Sequence, residues 1–472
     1  MLESIKTAAK LLVIQRLRRA DAERRQGLGP FGGLDPSLWG WESSSDGQLC
    51  VSGRRARDLA ESHGTPLHVV HLAQLRKTHD DFLRPFRDAY PATRLATSYK
   101  TNPLPSVLAA LHGMGTYAEV ISEFELWLAG RLGLAGERII VNGPGKTRSM
   151  IARAVAMNAR LINIDGLGEI ELIAQEARGT GRRQRVGVRV VTSVGWSSQF
   201  GLSISNGEAF AAFERIGKLA ALEPAGLHLH IGTGLKNVGS YVRAIGEALE
   251  FAARLRDQLG IRLGLFDFGG GFGVPTVRAA DAWDDRMVAL GYPPRDPYPP
   301  DCPTARDYAA ALRPALASLR EIGAADAELV FEPGRAITSS AQTLLLRVIA
   351  TKDGGGARKL ILDGGKNITL PLGWETHKIF PASGLSLDAN GAYDLYGPLC
   401  HPGDVIARHL PLPPTGVGDT IAIMDAGAYF IPNQMNFSNP RPAVVAVDGS
   451  QVRLVRRRES FEDIVRLDDA AG

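Results

Sequence analysis

Residues 263–273 read LGLFDFGGGFG, an apolar strand-like run that passes directly into glycines. Residues 328–335 have a similar form, because the strand-like run Glu328 to Phe331 leads into Glu332-Pro333-Gly334-Arg335. In a β/α barrel the functional groups lie at the carboxyl ends of the strands, where the loops to the helices begin. The two stretches therefore predict both a fold and the place of its site.

Other strand-like runs precede them, and helical stretches separate one run from the next. They cover residues 94–98, 138–141, 161–164, 185–191 and 226–231. This alternation predicts an α/β protein with a (β/α)8 TIM-like barrel. After about residue 336 the strands become short and are punctuated by Gly, Pro, Asp and Asn, which predicts a second, β-rich domain of sandwich or barrel type.

The predicted order is a basic N-terminal extension (1–36), a segment that joins the β domain (37–68), the barrel (69–335) and the C-terminal β domain (336–472). Repeated prolines and extra length in residues 276–304 predict a surface excursion from the barrel. A chain of 472 residues fits about two domains.

Composition excludes several classes of protein. With 54 basic and 50 acidic residues the net charge is only +4, and 44% hydrophobic content is ordinary for a globular protein. Neither nucleic-acid binding nor disorder is indicated. Three cysteines without CxxC spacing argue against a disulfide framework or a zinc knuckle, and they favour a reducing cytoplasm.

The first 26 residues mix apolar side chains with lysines and arginines. They predict a basic amphipathic helix that docks on the body of the protein or on a partner. Contact with a membrane surface or with a carrier protein is the alternative. The apolar run is too short for a signal peptide, and no transmembrane segment is predicted anywhere.

Lys100 stands at the end of the first predicted barrel strand, in Thr97-Ser98-Tyr99-Lys100-Thr101-Asn102-Pro103. Partial desolvation at a barrel mouth would lower the pKa of this lysine, as a Schiff-base lysine requires. A lone lysine beyond a strand is more often an ordinary surface residue. Lys100 therefore needs support from other motifs.

Two motifs at other strand ends offer that support. The amides of Gly269, Gly270 and Gly271 can surround an anion such as phosphate, although a tight structural turn is an equal alternative. Glu332 can hold a pyridine nitrogen protonated and Arg335 suits phosphate, with a structural ion pair as the alternative.

Two histidines, His228 and His230, lie two residues apart on a predicted strand and thus on one face, which also suggests zinc. No third ligand at a suitable spacing is evident, so no metal is predicted. A histidine stacked on a planar cofactor, with Thr233 toward phosphate, needs none, and His228 fits a core position.

The second domain contributes Cys400-His401-Pro402-Gly403-Asp404 and, after another strand, Tyr429. Cys400 can donate a proton to a carbanion while Asp404 receives the cationic group of a substrate. Tyr429 can donate a hydrogen bond to phosphate or border the cofactor ring. A buried cysteine and a core tyrosine are the structural alternatives.

Together these motifs resemble the fold-type III pyridoxal-phosphate decarboxylases, which include diaminopimelate, ornithine and arginine decarboxylases. The resemblance spans roughly residues 45–450 and rests on five motifs in the family's order. They are Tyr99-Lys100-x-Asn102, His230-Ile231-Gly232-Thr233, Gly269-Gly270-Gly271, Glu332-Pro333-Gly334-Arg335 and Gly397-Pro398-x-Cys400 with Asp404.

The resemblance implies pyridoxal phosphate as cofactor, an internal aldimine on Lys100, His230 on the ring and Glu332 at the pyridine nitrogen. It also implies a quinonoid that Cys400 reprotonates, in active sites shared across a head-to-tail homodimer. The phosphate would be held by Thr233, Gly269 to Gly271, Gly334, Arg335 and Tyr429. The substrate would contact Arg335, Cys400, His401, Asp404 and Tyr429.

Two departures from the family bear on the substrate. His401 stands where diaminopimelate decarboxylases have glutamate after the cysteine, and Asn367 to Trp374 lacks the arginine and tyrosine that bind the distal carboxylate there. We therefore predict decarboxylation of an amino acid other than diaminopimelate, in the secondary-metabolism branch.

Three alternatives remain open. The substrate could be a D-amino acid or a carrier-bound one, and the reaction could be racemisation. The chain could also be an inactive regulatory homologue, although intact Lys100, Glu332, Arg335 and Cys400 argue against it. A glutamate at the pyridine nitrogen favours decarboxylation, since related racemases place an arginine there.

Overall fold

The computed structural model describes residues 2–29, 31–196, 198–354 and 357–468, with side chains from residue 6 onward. The chain divides into two compact units. One comprises residues up to Leu75, Val274–Asp301 and the chain from Thr338, and it is rich in β-strands. The other comprises Arg76–Gly273 and Cys302–Ile337, and it holds the barrel.

Eight parallel strands close into a barrel, as predicted, because each pairs with the next and the eighth pairs with the first. They are β1 (Thr93–Ser98), β2 (Tyr117–Val120), β3 (Ile139–Val141), β4 (Leu161–Ile164), β5 (Gln184–Val191), β6 (Leu222–His228), β7 (Leu265–Asp267) and β8 (Glu328–Phe331). A short strand, Leu202–Ser203, pairs beside the end of β5.

Helices alternate with these strands, and several begin at a residue whose side chain caps the first turn, such as Ser122, Thr147 and Thr304. The helices are Leu72–Ala89, Pro105–Gly113, Glu123–Arg131, Arg148–Ala156, Glu169–Arg178, Glu208–Gly217, Val238–Leu259, Ala305–Ala317 and Gly334–Thr338, with 3₁₀ turns at Tyr99–Thr101 and Gly136–Arg138. Small and branched side chains fill the barrel interior, including Ala96, Ile140, Leu161, Leu265 and Val330.

The observed strands differ from the predicted ones in two ways. Strand β2 was not predicted, because Glu119 interrupts the apolar run of its four residues, YAEV. Strand β6 ends at His228 rather than Ile231, so His230 lies in the following loop. The inference that both histidines share one face of a strand is therefore wrong.

The β-rich unit is built around the long strand Gln342–Lys352, which pairs with Leu67–His71, Arg358–Leu362 and Thr420–Ile423. Its other strands are Glu42–Ser43, Leu49–Val51, Arg54–Arg55, Arg278–Ala279, Glu375–Thr376, Ile379–Pro381, Gly391–Tyr396, Val405–Leu412, Ala443–Asp448 and Gln451–Arg456. Its helices are Leu2–Arg25, Ala56–His63, Ala282–Ala289 and Phe461–Val465, with 3₁₀ turns at Pro36–Trp39, Pro299–Asp301, Ser339–Ala341 and Leu370–Gly373. Residues 274–301, which we predicted as part of the barrel, group with this unit.

The N-terminal basic helix, Leu2–Arg25, packs on a neighbouring segment of the same unit through its arginines. Arg18 lies 4.6 Å from the ring centre of Tyr292, and Arg24 donates to Asp301 at 2.7 Å. Arg25 donates to the Asp296 carbonyl oxygen at 3.0 Å. The last two turns of the helix are thus held by cation–π contacts and charged hydrogen bonds. Within the described chain, no helix has the length and apolarity that crossing a bilayer demands.

Candidate active site

Lys100 lies in the 3₁₀ turn that follows β1, and its side chain differs in burial from that of its neighbour Tyr99. Tyr99 is fully buried, with its hydroxyl 2.7 Å from the His112 ring, whereas the Lys100 side chain is 36% exposed. The Lys100 Nζ lies 3.1 Å from Glu119 Oε2. The predicted lysine is therefore accessible at the carboxyl end of the strands and paired with a buried carboxylate.

A chain of hydrogen bonds connects Lys100 to Glu332. Glu119 accepts a hydrogen bond from Asn142 Nδ2 at 3.1 Å, and the same nitrogen donates to Glu332 Oε1 at 2.7 Å. Asn163 orients that amide by donating to Asn142 Oδ1 at 2.8 Å. Sequence reasoning missed Glu119, Asn142 and Asn163, although polar residues in or after otherwise apolar barrel strands are a usable signal.

Glu332 is almost completely buried, and its Oε2 lies 3.8 Å from His228 Nε2. Burial would by itself raise the pKa of this carboxyl. The adjoining His228 and the Lys100 ammonium outweigh burial and hold the pKa of Glu332 below its usual range. Glu332 is thus a buried acid that stays ionised.

His230 lies in the loop after β6, where its ring contacts the glycine run. Burial, followed by the nearby Lys100 cation, lowers the pKa of His230 to about 3. Its Nδ1 accepts the Gly270 N–H at 3.2 Å, and the ring of Trp196 lies 6.0 Å away. The imidazole is therefore neutral, with the proton on Nε2.

Packing alone is a sufficient reason for the glycine run. A Cβ would lie 2.4 Å from the Leu229 carbonyl oxygen at Gly269, 2.1 Å from that of Glu332 at Gly270, and 1.9 Å from that of Gly232 at Gly271. No other residue fits these positions. Phosphate binding by these amides remains a prediction.

The remaining barrel residues of the predicted site follow β6 and β8. Gly334 begins the short helix Gly334–Thr338, where a Cβ would meet Thr101 Oγ1 at 2.4 Å. Arg335 is half-buried, and Thr233 is exposed. All three thus lie at the same end of the barrel as Lys100, since the strands are parallel.

The β-rich unit holds the other predicted residues. Cys400 is an exposed free thiol, and His401 is exposed with Nδ1 accepting the Gly403 N–H at 3.0 Å. Asp404 is buried and accepts the amide protons of Lys366 at 2.6 Å and Leu399 at 2.8 Å. These contacts indicate that Asp404 shapes the loop that carries Cys400. Its contact with substrate remains a prediction.

Tyr429 lies on a turn that Asp425 anchors. The buried Asp425 carboxylate accepts hydrogen bonds from Trp39 Nε1 at 2.6 Å, Thr276 Oγ1 at 2.9 Å and Ser339 Oγ at 2.8 Å. Tyr429 is half-buried and adopts a left-handed backbone with φ +67°. A non-glycine residue in that conformation is held there by its surroundings, which fixes the direction of the tyrosine.

Residues 72–339 match the model of the pyridoxal-dependent decarboxylases, pyridoxal binding domain. The chain belongs to this family. It is 28% identical over 437 residues to the diaminopimelate decarboxylase of Archaeoglobus fulgidus, covering 90% of this chain and 97% of the relative. The Aquifex aeolicus enzyme of the same name is also 28% identical, with 89% and 95% covered.

The crystal structure of diaminopimelate decarboxylase from M. jannaschii superposes with a TM-score of 0.81 at 26% identity, covering 91% of this chain and 97% of that one. The family identifies pyridoxal phosphate as the cofactor. The residues present fit it, because an accessible lysine, a buried ionised carboxylate and a glycine floor that leaves no room for a Cβ meet at one barrel end.

Proposed function

We propose that this protein decarboxylates an amino acid other than diaminopimelate, with Lys100 and Glu332 at the centre of the reaction. The hydrogen-bond chain from Lys100 through Glu119 and Asn142 to Glu332 carries the proposal. It links an accessible amine to a buried carboxylate.

When bound, pyridoxal phosphate would supply an acceptor for the electron pair that stays on the substrate carbon when its carboxylate leaves as carbon dioxide. Lys100 would hold the cofactor covalently, and the ionised Glu332 would keep the ring nitrogen protonated. His230, neutral and fixed by the Gly270 amide, offers a flat apolar face to the ring. The depressed pKa of Glu332 supports decarboxylation over racemisation, because an ionised carboxylate would stabilise the protonated ring nitrogen, and a protonated ring is the stronger electron acceptor.

The substrate proposal rests on the β-rich unit. His401 after Cys400, and the absence of arginine and tyrosine from Asn367 to Trp374, remove groups that recognise a distal carboxylate in diaminopimelate decarboxylases. Cys400 is exposed, so its thiol is free to deliver a proton to the carbon that loses carbon dioxide. We further propose that a second subunit of a homodimer supplies this segment. A D-amino acid or a carrier-bound amino acid is the alternative substrate.

The test is carbon dioxide release from a panel of L- and D-amino acids, diaminopimelate included, with product identification by mass spectrometry. We expect one non-diaminopimelate substrate to be decarboxylated and Lys100→Ala to lose both turnover and the covalent cofactor absorbance. Diaminopimelate as the best substrate would refute the substrate proposal, and full turnover by Lys100→Ala would refute the role of Lys100.

A further inference from the structure

Asp267 is a buried carboxyl group next to Glu332 that the proposed chemistry does not use. It ends strand β7, two residues before Gly269, and its side chain is completely buried. Sequence reasoning found no third ligand near His228. The structure brings His228, Asp267 and Glu332 together, with one donor atom of each within 4.8 Å of the others.

The two oxygens of Asp267 have different surroundings. Oδ1 accepts the Gly269 N–H at 3.0 Å. Oδ2 is buried without a hydrogen-bond partner among the described residues, and both ring nitrogens of His228 share that condition. A buried polar atom without a hydrogen bond is energetically costly. The unpaired atoms of Asp267 and His228 therefore indicate that a proton, which the heavy-atom positions do not show, takes part in a hydrogen bond here.

The charges around Asp267 and Glu332 indicate which of the two carboxyl groups carries a proton. Two adjoining carboxylates in a buried site repel each other, so one member of the pair holds its proton far more tightly than an isolated carboxyl group does. Glu332 accepts a hydrogen bond from Asn142 and faces His228 and Lys100, whereas Asp267 has one amide donor and faces the acids Glu332 and Glu119. The negative charge is therefore better stabilised on Glu332.

We propose that Asp267 is a protonated positioning residue, whose carboxyl proton is donated to Glu332 and holds that carboxylate ionised and oriented toward the cofactor's ring nitrogen. The proposal rests on the proposed role of Glu332. Burial and the neighbouring Glu332 both raise the pKa of Asp267 well above its usual range, in agreement with the geometry. A proton on Asp267 Oδ2 gives this buried oxygen a hydrogen bond to Glu332 and leaves only one negative charge on the two carboxyl groups.

Two variants, Asp267→Asn and Asp267→Ala, distinguish a role as a neutral hydrogen-bond donor from a role that only fills space. Asp267→Asn keeps a neutral hydrogen-bond donor of the same shape and cannot ionise, so its cofactor dissociation constant should stay within about twofold of the parent. Asp267→Ala removes the donor and should weaken cofactor binding roughly tenfold. Asp165→Asn is the matched control, since Asp165 is a buried barrel aspartate that accepts the Gly201 amide at 2.7 Å and faces Arg189.

Infrared spectroscopy of the cofactor-free protein supplies a readout that a merely structural role would not move. At mildly alkaline pH the parent should show the carbonyl stretch of a protonated carboxylic acid, shifted by isotope-labelled aspartate and absent from Asp267→Asn. The band should persist in Asp165→Asn. Neither infrared nor binding measurements require turnover, so they stand or fall separately from the substrate proposal.

Three results would overturn the inference. The first is the absence of the protonated-acid band from the parent. The second is a loss of cofactor affinity in Asp267→Asn as large as in Asp267→Ala, which would show that the aspartate charge is needed. The third is stoichiometric zinc binding by the cofactor-free parent that Asp267→Asn abolishes, because His, Asp and Glu are also a zinc donor set.

Discussion

Lys100 and Glu119 form an ion pair in which the lysine is accessible and the acid is completely buried, with Nζ 3.1 Å from Oε2. The same carboxylate accepts hydrogen bonds from Ser98 and Asn142, so donors surround it. In Glu119→Gln the new amide N–H would face a second hydrogen-bond donor, either Ser98 or Asn142, and the negative charge beside Lys100 would be lost. Loss of one such buried contact costs about 1–3 kcal/mol, so cofactor affinity should fall roughly tenfold in absorbance titrations.

The control for this variant is Glu123→Gln, which changes an exposed acid on the next helix that accepts a hydrogen bond from Ser149. Its cofactor affinity should match the parent. An unchanged affinity in Glu119→Gln would show that the ion pair does not prepare Lys100 for the cofactor.

Gly270→Ala should destabilise the protein and impair cofactor binding together. The added Cβ would lie 2.1 Å from the Glu332 carbonyl oxygen, so the backbone that carries Glu332 must shift. Overpacking of this kind costs about 1–3 kcal/mol, measurable as a lower urea midpoint. Gly246→Ala is the matched substitution, since Gly246 lies inside helix Val238–Leu259 where an added Cβ meets nothing within 4 Å, and it should leave cofactor binding intact without lowering stability. Equal effects of the two variants would contradict the packing account.

Cys400→Ala should keep the cofactor and lose most decarboxylation. The thiol is exposed, so its removal leaves no cavity, and the absorbance of the cofactor bound to Lys100 should be unchanged. Loss of a general acid typically costs 10²–10⁴-fold in rate. Cys302→Ala removes a buried thiol elsewhere and should keep the parent's rate. Parent-like turnover in Cys400→Ala would assign the proton to another group.

His230 should make the stability of the cofactor-free protein depend on acidity. Burial lowers its pKa to about 3, so between about pH 6.5 and 3 the unfolded state binds a proton that the folded state does not. Stability therefore falls as pH drops through this window. His230→Gln lacks this contribution, so its free energy of unfolding should fall by about 2 kcal/mol less between about pH 7 and 4.5. Parallel curves for the two proteins would mean that His230 titrates alike in both states.

Sequence patterns were sufficient where one strand carried a long apolar run into a polar motif. That combination placed Lys100 and Glu332 at one end of the barrel, while the alternation of strand-like runs with helical stretches located seven of the eight barrel strands. Strand β2 was missed because a charged residue, Glu119, interrupts its apolar run, and that residue is the partner of Lys100.

The contacts that tune the site could not be read from local sequence, because they join distant strand ends. Asn142 is an unremarkable asparagine until the barrel brings it within 2.7 Å of Glu332. The glycine run likewise gave equal support to a phosphate cradle and to a packed turn. Only the position of the facing carbonyl groups shows that a side chain is excluded there.

The hydrogen bond between Asn142 and Glu332 spans 190 residues of chain, and the barrel closes only when β8 pairs with β1. Contacts of such long sequence separation form late and slowly during folding. A growing polypeptide that has not yet reached β8 lacks Glu332 and exposes unpaired strand edges to neighbouring chains. A cofactor site that includes Glu332 is therefore complete only after the barrel has closed. The absorbance of the bound cofactor can be used to follow the last step of barrel assembly.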